Sequence, residues 1–367
     1  GDFYYEPPSG YLALCTSNMD APEIKLPGDN FNSVIYTGDG ADDHNLSVGF
    51  QPDMVWIKER GNISSHYLVD AVRGLGTGDS MRVLIPDSQD TEYSSENNQL
   101  ISFDTDGFTL DDNDGGSFYV NRDTETYVGW NWLGANGTAG NTTGTIDSTV
   151  SANTTAGFSI VSYTGDGNSG ATVGHGLSAV PELFIVKSRA LSVDWVVYSK
   201  VVGNTAALQL NQPDVPYTYA QYFNNTSPTA SVFSVGSSNV VNFDTQNYIA
   251  YCFHSVEGYS KIGSYTGNGA DDGTFIYTGF RPAYFLFKKT NDGDSWYVMD
   301  DKRNTYNLVT DTLKPDSNAA EASDALGDCD FVSNGIKFRI NDTGNDDAAT
   351  YLYMAFAKSP FKYANSR

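Results

Sequence analysis

Two acidic loops have residue types and a spacing that could bind a metal ion. Asp39, Asp42 and Asp43 lie close together, and Asp271 and Asp272 occupy the corresponding place later in the chain. Calcium takes about six to eight oxygen ligands, which neighbouring carboxylates can supply. The loops lack the glutamate that closes an EF-hand loop, and such carboxylates are equally typical of solvated turns. The sequence therefore leaves two interpretations, a calcium site and a solvated turn.

Pairs of carboxylates also raise the question of catalysis. Asp104 with Asp106, and Asp292 with Asp294, resemble the paired acids that flank a sugar bond in glycosidases. Neither pair repeats at equivalent positions, and close pairs are inevitable among 45 acidic residues. The four histidines follow neither a metal-binding spacing nor the order of a catalytic triad. We therefore expect a protein that is not an enzyme.

A cluster of aromatic residues is the stronger candidate for ligand binding. Tyr217, Tyr219, Tyr222 and Phe223 fall in one segment that we expect to be a loop. Loops at the ends of a β-sandwich often carry recognition, and an aromatic ring can pack against a sugar ring. The alternative is a loop that packs on its own tyrosines.

The overall charge narrows the range of partners. The chain carries 45 acidic and 21 basic residues, a formal net charge of −24. Such a surface repels phosphate groups, so we expect neither nucleic acid nor anionic membrane as a partner. No apolar run approaches the ~18 residues of a membrane-spanning helix, so membrane insertion is not expected. The three cysteines lie far apart and indicate neither a disulfide scaffold nor a zinc site.

The elements that must position these residues repeat three times. Each copy opens with Tyr-Thr-Gly-x-Gly, continues through a proline to an apolar run that ends in lysine, and closes with a tyrosine followed by bulky apolar residues. The opening and closing tyrosines are Tyr36 and Tyr127, Tyr163 and Tyr248, and Tyr265 and Tyr351. Glycine pairs of this kind indicate tight turns between strands. Tandem copies of one module favour a binding or structural array over an enzyme.

The apolar patterns predict an all-β protein built from three tandem β-sandwich modules, lectin-like or jelly-roll-like. The closing segments alternate bulky apolar residues with smaller ones, as strands do when one face packs into a core. The runs after the prolines, 54–57, 183–186 and 284–287, are apolar at every position, which indicates central strands covered on both faces.

The repeats also predict the domain boundaries. We expect a lead-in at 1–32 that is the tail of a preceding element, repeat one at 33–133, a Gly/Thr/Asn linker at 134–157, repeat two at 158–254 and repeat three at 259–364. A flexible or extended linker would let the first module swing against the other two. One short helix is expected from Ser317 to Leu326, where alanine is frequent and Gly327 follows.

Several segments are similar to repeat domains in structural proteins of marine tailed bacteriophages. The similar stretches are Gly10-Tyr11-Leu12-Ala13-Leu14-Cys15-Thr16-Ser17-Asn18, Gly49-Phe50-Gln51-Pro52-Asp53-Met54-Val55-Trp56-Ile57-Lys58, Asp70-Ala71-Val72-Arg73-Gly74 and Phe103-Asp104-Thr105-Asp106-Gly107-Phe108. The likeness covers module one well and module three fairly. Module two departs from it, because Ser199 and Lys200 stand where an Asp-x-x-Arg step would be.

This resemblance implies a protein of the virion surface, in a tail fibre or another appendage that contacts host-surface glycans. It implies other virion proteins as partners, an extracellular location and a homo-oligomer such as a trimer. The alternatives are a capsid-decorating protein, a secreted or cell-surface carbohydrate-binding adhesin, a polysaccharide depolymerase and a spacer that binds nothing. Repeated modules favour attachment, since several weak sites on one chain bind together more tightly than each alone.

Overall fold

The computed structural model describes residues 9, 18–75, 81–95, 100–111, 119–323 and 327–364. Strands make up nearly all regular structure in these ranges, which confirms the prediction of an all-β protein. Two helices of one turn each, α1 (Ala220–Phe223) and α2 (Asn239–Asn242), and two 3-10 turns at Pro27–Asp29 and Phe361–Tyr363 complete it. Residues 1–8 and 10–17 of the expected lead-in lie outside the described ranges.

The first copy is a sandwich of two antiparallel sheets. Its strands are β1 (Phe31–Thr37), β2 (His44–Ser47), β3 (Met54–Glu59), β4 (His66–Asp70), β5 (Met81–Val83), β6 (Tyr93–Ser95), β7 (Leu100–Asp104), β8 (Gly107–Leu110) and β9 (Thr126–Trp132). The larger sheet has the order β1-β9-β3-β4 and the smaller β2-β8-β7, while β5 and β6 form a separate pair. Val55, Ile57 and Phe108 are among the buried side chains between the two sheets.

The second copy has the same plan with additional strands at both edges. Its strands are β10 (Ala139–Asn141), β11 (Ser148–Asn153), β12 (Phe158–Thr164), β13 (Ala171–Gly174), β14 (Leu183–Ser188), β15 (Val196–Ser199), β16 (Ala206–Gln209), β17 (Tyr217–Thr218), β18 (Val232–Val235) and β19 (Asn247–Phe253). The large sheet has the order β10-β11-β12-β19-β14-β15-β16-β17, and β13 pairs with β18.

The third copy again pairs a four-stranded with a three-stranded sheet. Its strands are β20 (Ser260–Thr266), β21 (Phe275–Tyr277), β22 (Phe280–Lys289), β23 (Trp296–Asp300), β24 (Cys329–Val332), β25 (Gly335–Phe338) and β26 (Thr350–Pro360). The orders are β20-β26-β22-β23 and β21-β25-β24. In all three copies the opening and closing tyrosines face each other across neighbouring strands, with ring centroids 5.0, 5.2 and 4.6 Å apart.

A further core joins the three copies to one another. In β3, Val55 and Ile57 point into the sandwich of their own copy, whereas Met54 and Trp56 belong to a cluster shared by all three. Phe31 of the first copy stacks on Phe356 of the third at 4.8 Å. The large sheets are therefore buried on both faces, which explains why the runs after the prolines are apolar throughout.

The three copies contact one another in a cyclic order. In each copy the apolar run ends in a buried lysine, Lys58, Lys187 or Lys288. The aromatic residue eight positions later forms a hydrogen bond with a backbone carbonyl of a neighbouring copy. These contacts join Trp195 Nε1 to the Ile85 oxygen at 3.0 Å, Trp296 Nε1 to the Gln209 oxygen at 2.8 Å and His66 Nε2 to the Lys314 oxygen at 2.9 Å. The second copy thus contacts the first, the first the third and the third the second, a pseudo-threefold arrangement.

Of the two forms expected for the linker at 134–157, the flexible one is wrong and the extended one is found. Within it β10 and β11 form, and β11 pairs along its whole length with β12. The amide of Gly134 also donates to Asp53 Oδ2 at 2.8 Å. A segment rich in Gly, Thr and Asn has little strand propensity of its own, but the edge of β12 supplies the partner that it needs. The first module does not swing, because its large sheet is part of the shared core.

The expected helix at Ser317–Leu326 is also absent from the part that is described, 317–323. Ala322 forms an isolated bridge with Thr312, and the Glu321 amide donates to the Arg60 carbonyl of the first copy at 2.8 Å. Residues 324–326 lie outside the described ranges. Hydrogen bonds with the first copy thus stabilise the extended conformation of this segment. The helix propensity of its alanines is too weak to outweigh them.

Candidate functional site

The two glycines of each Tyr-Thr-Gly-x-Gly opening have different structural roles. A Cβ on Gly38 would lie 2.1 Å from the Arg122 carbonyl oxygen, so the first glycine permits a close backbone approach. Gly40 has φ +61°, so the second permits a left-handed turn. Gly165 and Gly167 in the second copy, and Gly267 and Gly269 in the third, repeat this division. The openings are turns, as the sequence predicts.

A buried asparagine fastens each of these turns. In the first copy Asn121 Oδ1 accepts from the Asp39 amide, and Asn121 Nδ2 donates to Asp39 Oδ1 and to the Ala41 carbonyl, all at 3.0–3.1 Å. Asn242 and Asn345 make the same set of bonds in the other copies. Sequence reasoning overlooked these residues. The signal was available, since each stands six positions before a closing tyrosine.

This arrangement bears on the calcium interpretation of Asp39. Desolvation opposes ionisation, but hydrogen bonds from the Ala41 amide and the Asn121 side chain lower the pKa of Asp39 below its usual value. In the third copy the neutral Asn268 takes the same place, so the turn needs an oxygen acceptor and not a charge. The role is that of a turn-forming Asx residue.

The other acidic residues of these loops are not brought into a common metal site. Asp272 forms an ion pair with Lys337 at 2.7 Å, and Asp42 and Asp43 are exposed. Asp271 is exposed as well. In the ranges that the structure describes, no three His, Cys, Asp or Glu side chains are grouped in a way that could hold a metal ion.

The carboxylate pairs are occupied by local hydrogen bonds. Asp104 accepts from the hydroxyls of Ser102 at 2.7 Å and Thr109 at 2.6 Å, both on the hairpin that carries it. Asp106 accepts from the Ser47 hydroxyl. Asp294 likewise accepts from the Tyr297 hydroxyl at 2.9 Å. These contacts fix the turns in which the carboxylates lie.

The predicted aromatic cluster divides into two parts. Helix α1 turns Tyr222 and Phe223 into the core of the second copy, where both are buried, so these two residues are not free to contact a ligand. Tyr217 is 51% exposed, and its ring centroid lies 5.7 Å from that of the half-buried Tyr219. Only this pair of tyrosines remains at the surface. The alternative of a loop packed on its own aromatics is thus realised for half of the cluster.

The Asp-x-x-Arg steps form buried ion pairs within the first and third copies, each joined to a neighbouring copy by a further hydrogen bond. Asp70 and Arg73 are fully buried and 2.5 Å apart, and Asp70 also accepts from the Tyr251 hydroxyl of the second copy at 2.7 Å. Asp300 and Arg303 repeat the pair at 2.6 Å, with Trp130 Nε1 of the first copy as the crossing donor at 3.1 Å. Through these crossing donors the buried pairs connect the first copy to the second and to the third.

A groove in the third copy has the properties of a binding site. Its volume is about 770 Å³, and it lies between the beginning of β22, the loop at 305–307 and the last 3-10 turn. Tyr306 and Tyr363 line it and are 77% and 46% exposed. Arg281, Thr305 and Ser359 also line it, and their side chains carry a guanidinium and two hydroxyls. Two accessible rings and several hydrogen-bonding groups therefore meet in one concave surface.

The remaining charges of the groove are paired within the protein. Lys358 Nζ lies 2.5 Å from Asp301, and Asp330 lies 2.6 Å from the Arg339 Nε. The Asn307 side chain exchanges hydrogen bonds with the backbone of Phe331. Sequence reasoning missed this site because its residues come from distant segments without a common period. The only hint was Arg281, which stands before the repeated proline where the other copies have Gln51 and Val180.

Residues 26–360 match one family model, described as a domain of unknown function, DUF7483. The match runs through all three copies, so the family model treats them as one unit. No curated protein and no solved structure matches the chain. Among the described residues, no helix has both the length and the apolar character needed to cross a bilayer.

Proposed function

The chain belongs to the DUF7483 family, and we propose that it is a carbohydrate-binding protein of a virion surface, part of a tail fibre or other appendage that contacts host-surface glycans. The observation that carries this proposal is the groove of the third copy, where Tyr306 and Tyr363 expose their rings beside free hydrogen-bonding groups. The whole chain carries a net charge of −24, which disfavours nucleic acid as a partner.

The chemistry of the groove matches that of a sugar. A sugar ring presents apolar C–H faces, which pack against aromatic rings, and equatorial hydroxyls, which need donors and acceptors. The tyrosine hydroxyls, Thr305, Ser359 and Arg281 supply these groups at the rim of the same concavity. Ligand sites are typically concave, with a few polar groups that fix orientation.

The scaffold suits display at a surface. The three copies are held rigidly around one shared core, so a site on the third copy keeps a fixed orientation to the others. The exposed Tyr217 and the half-buried Tyr219 of the second copy give a second, shallower aromatic surface for the same class of ligand. Two weak sites on one rigid body, multiplied in an oligomeric appendage with other virion proteins, bind a polysaccharide with avidity.

A glycan array with the full chain, followed by adsorption to host cells, tests the proposal. We expect binding to a subset of glycans, and we expect Tyr306→Ala combined with Tyr363→Ala to lower the signal about tenfold or more. The control is Tyr277→Ala, which removes a ring that is 55% exposed but lies outside the groove. Absence of signal across neutral, acidic and amino glycans, together with absence of adsorption, would refute the proposal.

A further inference from the structure

We propose that the groove of the third copy binds a single carboxylate-bearing sugar, a uronic acid residue of a host-surface glycan, and that the Arg281 guanidinium receives its carboxylate. This inference rests on the proposed carbohydrate-binding function and names its ligand class. It follows from the state of one side chain. Arg281 lines the groove, yet neither a hydrogen bond, an ion pair nor a ring contact engages its guanidinium within the described residues.

That state sets Arg281 apart. The other seven arginines in the described ranges all have a partner, which is a carboxylate for five of them, a backbone carbonyl for Arg82 and the ring of Tyr119 for Arg122. In a chain with 45 acidic and 21 basic residues, carboxylates to pair with are abundant. A guanidinium without a partner therefore leaves its fork of donors available to a ligand.

The other charged side chains of the groove are already paired, so Arg281 is the group that selects the charge of the ligand. Lys358 is already paired with Asp301, and Asp330 with Arg339. A planar guanidinium matches a carboxylate with two parallel hydrogen bonds, which a neutral sugar hydroxyl cannot reproduce. Tyr306 and Tyr363 then provide the rings against which the sugar packs.

The fold itself does not require an arginine at this position. Gln51 and Val180 precede the equivalent prolines in the first and second copies, and both copies form the corresponding central strands, β3 and β14, although there these two residues stand just before the strand and Arg281 lies within β22. Arg281→Gln therefore copies a residue that this architecture already accepts. The variant should fold normally and test the ligand contact alone.

The test measures calorimetric titration of the full chain with the methyl glycosides of galacturonate and mannuronate, which carry one negative charge each and so avoid the repulsion that a net charge of −24 exerts on a polyanion, and with their methyl esters. Esterification removes the negative charge and leaves the ring. We expect the acids to bind more tightly than the esters, and Arg281→Gln to weaken acid binding about tenfold while ester binding is unchanged. Arg281→Lys should fall between, because lysine keeps the charge without the fork. Lys302→Gln, which removes a positive charge outside the groove, should bind like the natural protein.

The failures are distinguishable. If acids and esters bind equally, or if the array binds neutral glycans only and Arg281→Gln leaves that binding intact, the acidic ligand is refuted and the carbohydrate-binding function stands. If neither the glycosides nor any glycan on the array binds, both ideas fail together. Unchanged thermal unfolding of Arg281→Gln excludes a folding defect as the cause of lost binding.

Discussion

At the scale of single residues, the buried asparagines decide how the turns are held. Asn345 Oδ1 accepts from the amides of Asn268 and Thr274, and its Nδ2 donates to the carbonyls of Ala270 and Ile340. All four bonds are partly buried, so its removal would leave four partly buried backbone groups without their partner. Each such group costs about 1–3 kcal/mol when it is left unsatisfied.

We therefore expect Asn345→Ala to lower the free energy of unfolding by about 3 kcal/mol or more, measured by urea denaturation. The control is Asn291→Ala, because the exposed Asn291 side chain accepts a bond from only the Thr350 amide. That variant should change stability by less than about 0.5 kcal/mol. Equal effects of the two substitutions would contradict the structural role given to Asn345.

Three buried lysines predict how stability depends on pH. Burial lowers the pKa of Lys58, Lys187 and Lys288 to about 8, whereas a lysine in an unfolded chain titrates near ~10.4. Between these values the unfolded chain binds more protons than the folded protein, so the free energy of unfolding rises with pH. The expected gain from pH 8 to 9.5 is at most about 1.4 kcal/mol per pH unit for each lysine.

Other groups oppose this rise, so the comparison of variants is the decisive measurement. Burial raises the pKa of the Cys252 and Cys329 thiols, which favours the unfolded chain as pH increases. Lys187→Met should show a smaller rise than the natural protein, while the exposed Lys25→Met should keep the full rise. An identical pH dependence in Lys187→Met would show that this lysine does not titrate in the folded protein as described.

At the scale of elements, the three interfaces between copies differ in a coordinated way. Two of them contain a buried Asp–Arg pair with a crossing donor. The third interface, between copies two and three, lacks the aspartate, the arginine and the crossing donor. Ser199, Val202 and Met354 stand at the three corresponding positions, which in the first interface are Asp70, Arg73 and Tyr251. An isolated half of such a network would leave a buried charge unpaired, so its members are kept or lost together.

This correlation predicts the outcome of exchanging residues between interfaces. Asp70→Ser alone should destabilise the protein by about 3–5 kcal/mol, because Arg73 is left buried without its main partner. The triple variant Asp70→Ser, Arg73→Val and Tyr251→Met copies the third interface and should recover most of that loss. Denaturant unfolding measures both. A triple variant less stable than Asp70→Ser would contradict the equivalence of the interfaces.

The same elements show how far the sequence could lead. Strand positions and the two faces of the closing segments are readable, because alternation with period two is a local property. The sequence of a strand such as β3, apolar on both faces, indicates that both faces are covered. It does not indicate which elements cover them. The second cover comes from other copies, and no local pattern encodes that. The linker and the 317–323 segment were misassigned for the same reason, since partners distant in sequence determine their conformation.

The candidate site was even less accessible to sequence reasoning. Clustering in sequence predicts Tyr217 and Tyr219 as candidate binding residues. The same clustering wrongly includes Tyr222 and Phe223, which are core residues. The groove draws on residues from 281 to 363, and only the folded chain brings them together. Repeat comparison could have singled out Arg281 as a position where the copies differ in charge.

At the scale of the whole molecule, the shared core should make the three copies unfold together. Trp132 is buried and packs against Phe158 of the second copy and against Tyr284 and Phe356 of the third. A copy that unfolded alone would expose the apolar outer faces of the remaining large sheets to water, at about 25 cal/mol for each Å². Partial unfolding is therefore costly in all three cases.

We expect calorimetry of the full chain to give one cooperative transition with equal calorimetric and van't Hoff enthalpies. Trp132→Ala removes packing among all three copies and should cost about 3–5 kcal/mol. Because the coupling weakens, its transition should broaden or split, whereas Phe108→Ala, a loss inside the first sandwich alone, should lower stability without splitting. Three separate transitions in the natural protein would mean that the copies are independent domains, and the rigid relation between the groove and the rest of the molecule would then have no basis.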